Sequence, residues 1–173
     1  KFSIVRYGNV IGSRGSVIPY FLSIADSGEL TITDERMTRF MITLEEAIDL
    51  VWHSFNDMSG GEIYIKKIPS MNIIDIAKAV SNSATHRIIG IRPGEKLHEQ
   101  MIGVEDAPFT YEYDSFYKIL PAIYDAFNNI EWIGDGKKVP ENFHYISDKN
   151  NDWMSVKVLE AWISKHKEII GKY

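Results

Sequence analysis

Apolar side chains recur along the chain with two spacings, every second residue and every three to four residues, which predict strands and helices respectively. The first spacing, or a short continuous apolar run, predicts strands over residues 2–10, 30–33, 38–42, 62–65, 87–91 and 109–113. The second spacing predicts helices over residues 17–27, 44–56, 73–81 and 153–170. Residues 121–150 follow neither spacing and are predicted to be irregular. Because strands and helices alternate through the first half of the chain, the pattern favours an α/β fold.

Polar residues that typically cap helices stand before three of the predicted helices. Thr43 and Glu46 have the spacing of a capping box. Ser16 is the expected cap of the first helix, and either Asn72 or Ser70 is the expected cap of the third. These residues predict where the helices begin.

The composition excludes several classes of protein. The 173 residues include no Cys, which excludes disulfide frameworks, thiolate zinc sites and cysteine nucleophiles and is compatible with the cytoplasmic location that we expect. A net charge of -5 gives no bulk attraction to nucleic acid or to an anionic membrane, so we predict neither partner. No apolar run approaches the ~20 residues of a membrane span. The chain opens without Met on strand-like residues, so we expect a fragment of a longer protein.

A glycine-rich loop lies between the first predicted strand and the first predicted helix, within residues 6–19. In open α/β sheets, ligands bind beyond the carboxyl ends of the strands, where N–H groups of the following helix attract phosphate. The loop matches neither the dinucleotide-binding pattern nor the P-loop pattern. A nucleotide site and a tight turn without a ligand therefore remain alternatives.

Residues 31–40 carry two arginines among hydroxyl side chains. Arg39 has the chemistry to bind a phosphate. The alternative is a solvated ion pair of Arg36 or Arg39 with Asp34 or Glu35.

Arg92 follows a predicted strand and precedes the turn residues Pro93 and Gly94. Such a turn fixes the direction of the arginine, which can then make a bidentate contact with a pyrophosphate. The alternative is a charged surface turn.

Two familiar catalytic patterns are excluded. Tyr145 and Lys149 have the Tyr-x-x-x-Lys spacing of short-chain dehydrogenases, but the composition around them predicts a loop, and the pair needs a helix. The five histidines are scattered and make no metal-binding spacing, so we predict no metal. No catalytic residue is predicted in this chain.

Four segments together resemble the C-terminal half of UDP-N-acetylglucosamine 4,6-dehydratases of the C5-inverting type, which are extended short-chain dehydrogenase/reductases. The segments are residues 6–19, 32–40, 61–64 and 90–99, in the order and spacing of that family. The resemblance extends over residues 1–104 and resumes near residues 145–153. It implies an α/β fold that is the C-terminal, nucleotide-sugar-binding part of a Rossmann-type fold. Residues 1–104 would form the last Rossmann strand and the substrate-binding region, and residues 105–173 a C-terminal extension with a closing helix in the same structural unit.

The resemblance also implies which residues contact the ligands. Asn9 would bind the diphosphate of a UDP-sugar substrate, Val10 would lie beside the nicotinamide, and Thr33 would touch the uridine. Arg92 would hold the diphosphate, with Glu95 close to the ribose. The remaining substrate-binding residues implied are Arg14, Gly15, Ser16, Val17 and Ile18 in the glycine-rich loop, and Tyr145, Ile146, Ser147 and Asp148 over the nucleotide.

In that family the NADP loop, the Tyr-x-x-x-Lys helix and the residues that remove the C5 proton precede the strand with which this chain begins. The resemblance therefore implies NADP as a cofactor that an upstream half mainly binds. The alternatives are an epimerase or a retaining dehydratase of the same superfamily, or a nucleotide-sugar-binding module without catalysis. An exposed strand and apolar helix faces predict a homo-oligomer.

Overall fold

A computed structural model describes residues 1–123 and 130–172 of the chain. The strands are β1 (Ile4–Arg6), β2 (Asn9–Val10), β3 (Glu29–Ile32), β4 (Thr38–Ile42), β5 (Ile63–Lys66), β6 (Ser70–Asn72), β7 (Thr85–Ile88), β8 (Gln100–Ile102), β9 (Thr110–Glu112), β10 (Phe116–Ile119), β11 (Lys137–Lys138) and β12 (Tyr145–Ile146). The helices are α1 (Val17–Ile24), α2 (Leu44–Asp57), α3 (Ile73–Val80) and α4 (Val156–His166), with short 3-10 turns at Ala25–Ser27, Ala107–Phe109 and Ile130–Trp132. No helix among these residues is long and apolar enough to cross a membrane.

The contacts group the chain into two units, each built from three segments. The first unit takes residues 1–7, 44–67 and 100–146, and the second takes residues 8–43, 68–99 and 147–173. Both units draw on residues from each side of residue 104, and the division at that residue stays a prediction. Parallel strand pairs occur in both units beside helices, which confirms the α/β class.

The first unit is built on a five-stranded sheet with the order β1-β5-β10-β9-β11. Only β1 and β5 pair in parallel, and Val5 lies opposite Tyr64 in their register. A separate antiparallel pair joins β8 and β12. Helix α2 packs against β1 and β5 through a narrow buried face that includes Ala47 and Leu50. Beside this buried face, four large apolar side chains are exposed, namely Ile48, Val51, Trp52 and Phe55.

The second unit packs α1, α3 and α4 together with two small sheets. Strand β4 pairs in parallel with β2 and antiparallel with β6, while β3 and β7 form a separate parallel pair. Burial of apolar side chains stabilises this unit, and its core includes Phe21, Leu30, Ile76 and Leu159, each at most 2% exposed. Helix α3 begins as predicted, because the Asn72 side chain accepts a hydrogen bond from the N–H of Ile74 at 2.8 Å.

Several boundaries differ from the predicted ones. The strand predicted over 87–91 is found at Thr85–Ile88, since Gly90 has a φ of 85° that ends the extended stretch. The closing helix predicted over 153–170 is limited to Val156–His166, because Trp153 bridges to Ser70 in extended backbone.

Two further expectations about local structure were wrong. Ser16 does not cap α1, because its hydroxyl donates to the Ser13 carbonyl at 2.6 Å. The stretch 121–150, predicted to be irregular, contains the short strands β11 and β12, although residues 124–129 of that stretch lie outside the described residues.

Candidate functional site

A cavity of about 700 Å³ opens in the second unit. Its walls come from β2, the glycine-rich loop, the first turns of α1, the end of β3 and the turn after β7. These segments are far apart in the sequence. Seven of the residues implied by the family resemblance line this one cavity, namely Asn9, Gly15, Ser16, Val17, Thr33, Arg92 and Glu95.

The glycine-rich loop presents the beginning of α1 to the cavity. Gly12 has a φ of 75°, and an added Cβ would lie 2.9 Å from the ring of Trp162, so only glycine fits there without strain. Because the Ser16 hydroxyl bonds to Ser13, no side chain caps the helix. The first N–H groups of a helix carry partial positive charge and attract anions when nothing else occupies them.

The turn at Arg92 supplies a cation to the same cavity. The N–H of Glu95 donates to the Arg92 carbonyl at 3.0 Å, and the N–H of Arg92 donates to the Glu95 carboxylate at 3.2 Å, so the turn is closed from both sides. Gly94 has a φ of 82°, which glycine adopts readily. Within residues 1–123 and 130–172, no carboxylate forms an ion pair with the exposed Arg92 guanidinium. The guanidinium is therefore available to an anionic ligand.

The rest of the cavity wall is apolar with hydroxyl groups at one side. Thr33 follows β3, and Thr31 in that strand bonds to the hydroxyl of Tyr20 at 2.6 Å. Phe21 and Ile32 are buried beneath them. An apolar wall beside a cation and a helix N-terminus suits a ligand that combines a flat ring with an anionic group.

Asn9 and Arg39 line the cavity but are already engaged by protein groups. The Asn9 amide nitrogen donates to the Phe40 carbonyl at 3.2 Å and to the Glu99 carboxylate at 2.8 and 2.9 Å. The Arg39 guanidinium donates to the Thr38 carbonyl at 2.8 Å and to the Leu97 carbonyl at 3.1 Å. Arg39 is 17% exposed and mainly stabilises the backbone around it.

Arg36 forms an exposed ion pair with Asp34, one of the alternatives weighed for this segment. Its Nη2 lies 2.7 Å from Asp34 Oδ2, and its Nε donates to Oδ1 at 2.9 Å. Hydrogen bonds from the Arg36 side chain and backbone lower the pKa of Asp34 to about 2. Arg36 does not line the cavity.

Four of the predicted substrate-binding residues in the second unit lie outside the cavity wall. Arg14 is exposed in the glycine-rich loop, and Ile18 is 1% exposed in the core. The Ser147 hydroxyl is buried between Thr38 and the N–H of Glu99. Asp148 Oδ2 lies 3.9 Å from His98 Nε2. Their predicted roles toward a substrate stay predictions.

Three further predicted residues lie on strands. Tyr145 and Ile146 form β12 in the first unit, where the buried Tyr145 ring packs 5.2 Å from that of Tyr117, measured between centroids. Val10, in β2 of the second unit, is partly exposed beside Asn9. Because Tyr145 is in a strand, the Tyr-x-x-x-Lys pair has no helix, as the sequence predicted.

Sequence reasoning missed several residues of the cavity wall. Tyr20, Met37, Ile73 and Ile89 line it, and of these only Met37 lies within a motif, the segment 32–40, where it was not singled out. Tyr20 follows the glycine-rich loop at helical spacing and could have been found from that spacing. Ile73 reaches the cavity only through tertiary packing, for which the local sequence gives no signal.

A smaller cavity of about 270 Å³ in the first unit contains a buried lysine. Lys118 is 4% exposed, and its Nζ lies 2.6 Å from Asp57 Oδ2 and donates to the Trp132 carbonyl at 2.9 Å. The Tyr64 hydroxyl donates to the same carboxylate oxygen at 2.6 Å. Burial alone would raise the pKa of Asp57, but these hydrogen bonds lower it below its usual value, while burial raises the pKa of Tyr64. The positive charge of Lys118 is balanced by Asp57 within the cluster, so we interpret the cluster as structural. Across the described ranges, no group of His, Asp and Glu side chains is arranged to hold a metal.

Comparisons with known proteins show which family and which relatives this chain is similar to. A family model described as polysaccharide biosynthesis protein matches residues 1–121. An inverting UDP-N-acetylglucosamine 4,6-dehydratase of Campylobacter jejuni is 49% identical over 166 residues, which cover 92% of this chain and 50% of the relative. A UDP-glucose 4-epimerase of Rickettsia bellii is 40% identical over 123 residues, which cover 68% of this chain and 36% of the relative. The chain thus spans at most about half the length of these curated relatives.

A solved structure shares the fold over almost the whole chain. The X-ray structure of Pen from Bacillus thuringiensis superposes with a TM-score of 0.79 at 29% identity, covering 96% of this chain and 49% of that one. This match confirms the predicted Rossmann-type α/β fold, and the sequence relatives confirm the resemblance on which the site assignments rest.

Proposed function

The chain belongs to the family of polysaccharide biosynthesis proteins, and we propose that it forms the UDP-sugar-binding half of an inverting UDP-N-acetylglucosamine 4,6-dehydratase. One observation carries the proposal. Three sequence segments of the family resemblance, around residues 6–19, 32–40 and 90–99, meet at a single cavity of about 700 Å³. Ligand pockets of this size usually combine apolar walls with a few polar groups, as this one does.

The cavity offers a separate place to each part of a UDP-sugar. The diphosphate would lie between the Arg92 guanidinium and the uncapped beginning of α1, where both a full charge and backbone N–H groups favour an anion. The uridine would lie against the apolar wall near Thr33, with Glu95 close to the ribose. Gly15, Ser16 and Val17 would form the bed of the substrate, and Asn9 would contact it from β2.

The proposed reaction needs a nicotinamide cofactor, for which we propose NADP. When bound, this cofactor would accept a hydride from the sugar and return it. Val10 is the residue of this chain that would lie beside its nicotinamide, and a partly exposed apolar side chain fits a flat ring. This chain would bind and orient the UDP-sugar. The remaining catalytic groups would come from a part of the protein that corresponds to the half of the relatives outside the match.

The dehydratase is favoured over the epimerase by the extent of the similarity. The dehydratase relative is 49% identical over 92% of the chain, whereas the epimerase relative is 40% identical over 68% of it. The epimerase similarity therefore leaves about a third of the chain outside the aligned region.

The test is product analysis with a complete protein that carries this chain. With UDP-N-acetylglucosamine and NADP, we expect a 4-keto-6-deoxy sugar inverted at C5, identified by NMR spectroscopy. We expect no product from the 173-residue chain by itself, because the family resemblance implies that the residues that remove the C5 proton lie outside it. A product changed only at C4 would support the epimerase instead.

A further inference from the structure

Glu99 does not line the cavity, yet it contacts two residues that do. Its two carboxylate oxygens accept hydrogen bonds from the Asn9 amide nitrogen at 2.8 and 2.9 Å. Its Oε1 also lies 3.8 Å from the Arg39 Nε. Glu99 therefore contacts the cavity wall indirectly, mainly through Asn9, because its distances to Asn9 are shorter than its distance to Arg39.

Glu99 is itself held by the backbone around it. The N–H of Phe40 donates to its Oε2 at 2.9 Å, and the N–H of Glu99 donates to the Ser147 hydroxyl at 2.9 Å. The N–H of Ser147 donates in turn to the Glu99 carbonyl at 2.8 Å. The side chain is 29% exposed, so it is partly shielded from water. A carboxylate fixed in this way can hold another side chain in one orientation.

These contacts determine which atom of Asn9 a ligand can use. The atom near the Phe40 carbonyl and the two Glu99 oxygens must be the amide nitrogen, because an oxygen there would face three acceptors. An amide nitrogen carries two hydrogens, and both are engaged. Oδ1 is then the Asn9 side-chain atom left for a ligand, and it can only accept a hydrogen bond.

We propose that Glu99 is a positioning residue that fixes Asn9 so that Asn9 contacts donor groups of the sugar, its hydroxyl or amide N–H groups, and not the diphosphate. The inference rests on the proposed function, since it requires a UDP-sugar in the cavity. It revises the diphosphate role that the family resemblance implies for Asn9. A carbonyl oxygen gains nothing from a phosphate, which offers no hydrogen to share at neutral pH.

The first test needs no ligand. In the ¹⁵N-labelled full chain, the side-chain NH₂ signals of Asn9, assigned by their loss in Asn9→Ala, should exchange slowly with water. In Glu99→Gln these signals should shift and exchange faster, and in Glu99→Asp they should shift as well, because the shorter carboxylate no longer reaches. The control Glu35→Gln makes the same chemical change at an exposed position of the same unit and should leave the signals in place. Unchanged Asn9 signals in both Glu99 variants would overturn the positioning role.

The second test compares ligands by calorimetry. Glu99→Gln and Asn9→Ala should each weaken the binding of UDP-N-acetylglucosamine about tenfold, and the binding of UDP less than about twofold. In the Asn9→Ala background, Glu99→Gln should add little, because the residue through which it acts is gone. Equal losses for the two ligands, or fully additive losses, would overturn the inference. A parent chain that binds neither ligand would contradict the proposed function, and the NH₂ signals would still decide whether Glu99 orients Asn9.

Discussion

Replacing Arg92 by Ala removes the cation that the cavity offers to a diphosphate. The guanidinium has no ion-pair partner in the described part of the chain, so its removal leaves no carboxylate without its cation. The loss in binding therefore measures the ligand contact itself. Hydrogen bonds between charged groups contribute about 1.5–3 kcal/mol, and the exposure of Arg92 favours the lower part of that range because water screens the contact.

We expect Arg92→Ala to weaken UDP binding to the full chain by about 1.5–2.5 kcal/mol, which is roughly 10- to 60-fold in Kd by calorimetry. Arg92→Lys should recover only part of the loss, because an ammonium group cannot make the bidentate contact. The matched control is Arg36→Ala, which removes an exposed guanidinium that is already paired with Asp34 and does not line the cavity, so the Kd for UDP should stay unchanged. If Arg92→Ala binds UDP as tightly as the parent does, Arg92 belongs to a charged surface turn and the diphosphate assignment is wrong.

Three further predictions concern charge and surface. Arg36→Ala should raise the pKa of Asp34 from about 2 toward 3.8, and an unchanged titration midpoint of Asp34 in ¹³C NMR would contradict this. Because folding lowers this pKa, the ion pair stabilises the folded chain above about pH 4, and this stabilisation is lost as the pH falls toward 2. Lys118→Met should lower the free energy of unfolding, measured in urea, by about 1–3 kcal/mol, since its partly exposed carboxylate partner Asp57 loses its cation. Lys67→Met, at a partly exposed ion pair, should lower it by less than about 1 kcal/mol, and equal losses would argue against a structural role for Lys118. Trp52→Glu on the apolar face of α2 should reduce the self-association that we expect of the full chain, measured by sedimentation velocity, and a parent chain that stays monomeric at high concentration would refute the expectation.

Elements whose apolar side chains recur with a regular local spacing could be predicted from the sequence, although that spacing did not show which side chains are buried. Helix α2 was predicted over 44–56 and spans Leu44–Asp57, because its apolar positions have helical spacing, yet Ile48, Val51, Trp52 and Phe55 among them are exposed. Strand β10 was missed, since Lys118 interrupts its apolar run. That lysine is nevertheless buried, because a carboxylate and a backbone carbonyl distant in sequence satisfy it. Such compensation depends on tertiary contacts and leaves no local pattern.

The residues of the candidate site also fall into two groups, those that the sequence could predict and those that only the folded chain brings to the cavity. Arg92 could be predicted from the strand end and the Pro-Gly turn beside it, whereas Thr33 was implied only by the family resemblance; both line the cavity. Ile73 could not, because it reaches the cavity through the packing of α3. The engagement of Asn9 by Glu99 joins residues 90 positions apart, and only the folded chain brings them into contact.

The most direct test of the central claim is to map UDP-N-acetylglucosamine onto the full ¹⁵N-labelled chain by NMR titration. The account predicts saturable shifts of backbone signals at Gly15, Ser16, Thr33 and Glu95, which line the cavity of the second unit, with signals around Lys118 in the first unit unchanged. No saturable shift at millimolar ligand, or shifts confined to the neighbourhood of Lys118, would contradict the claim that this cavity binds a UDP-sugar.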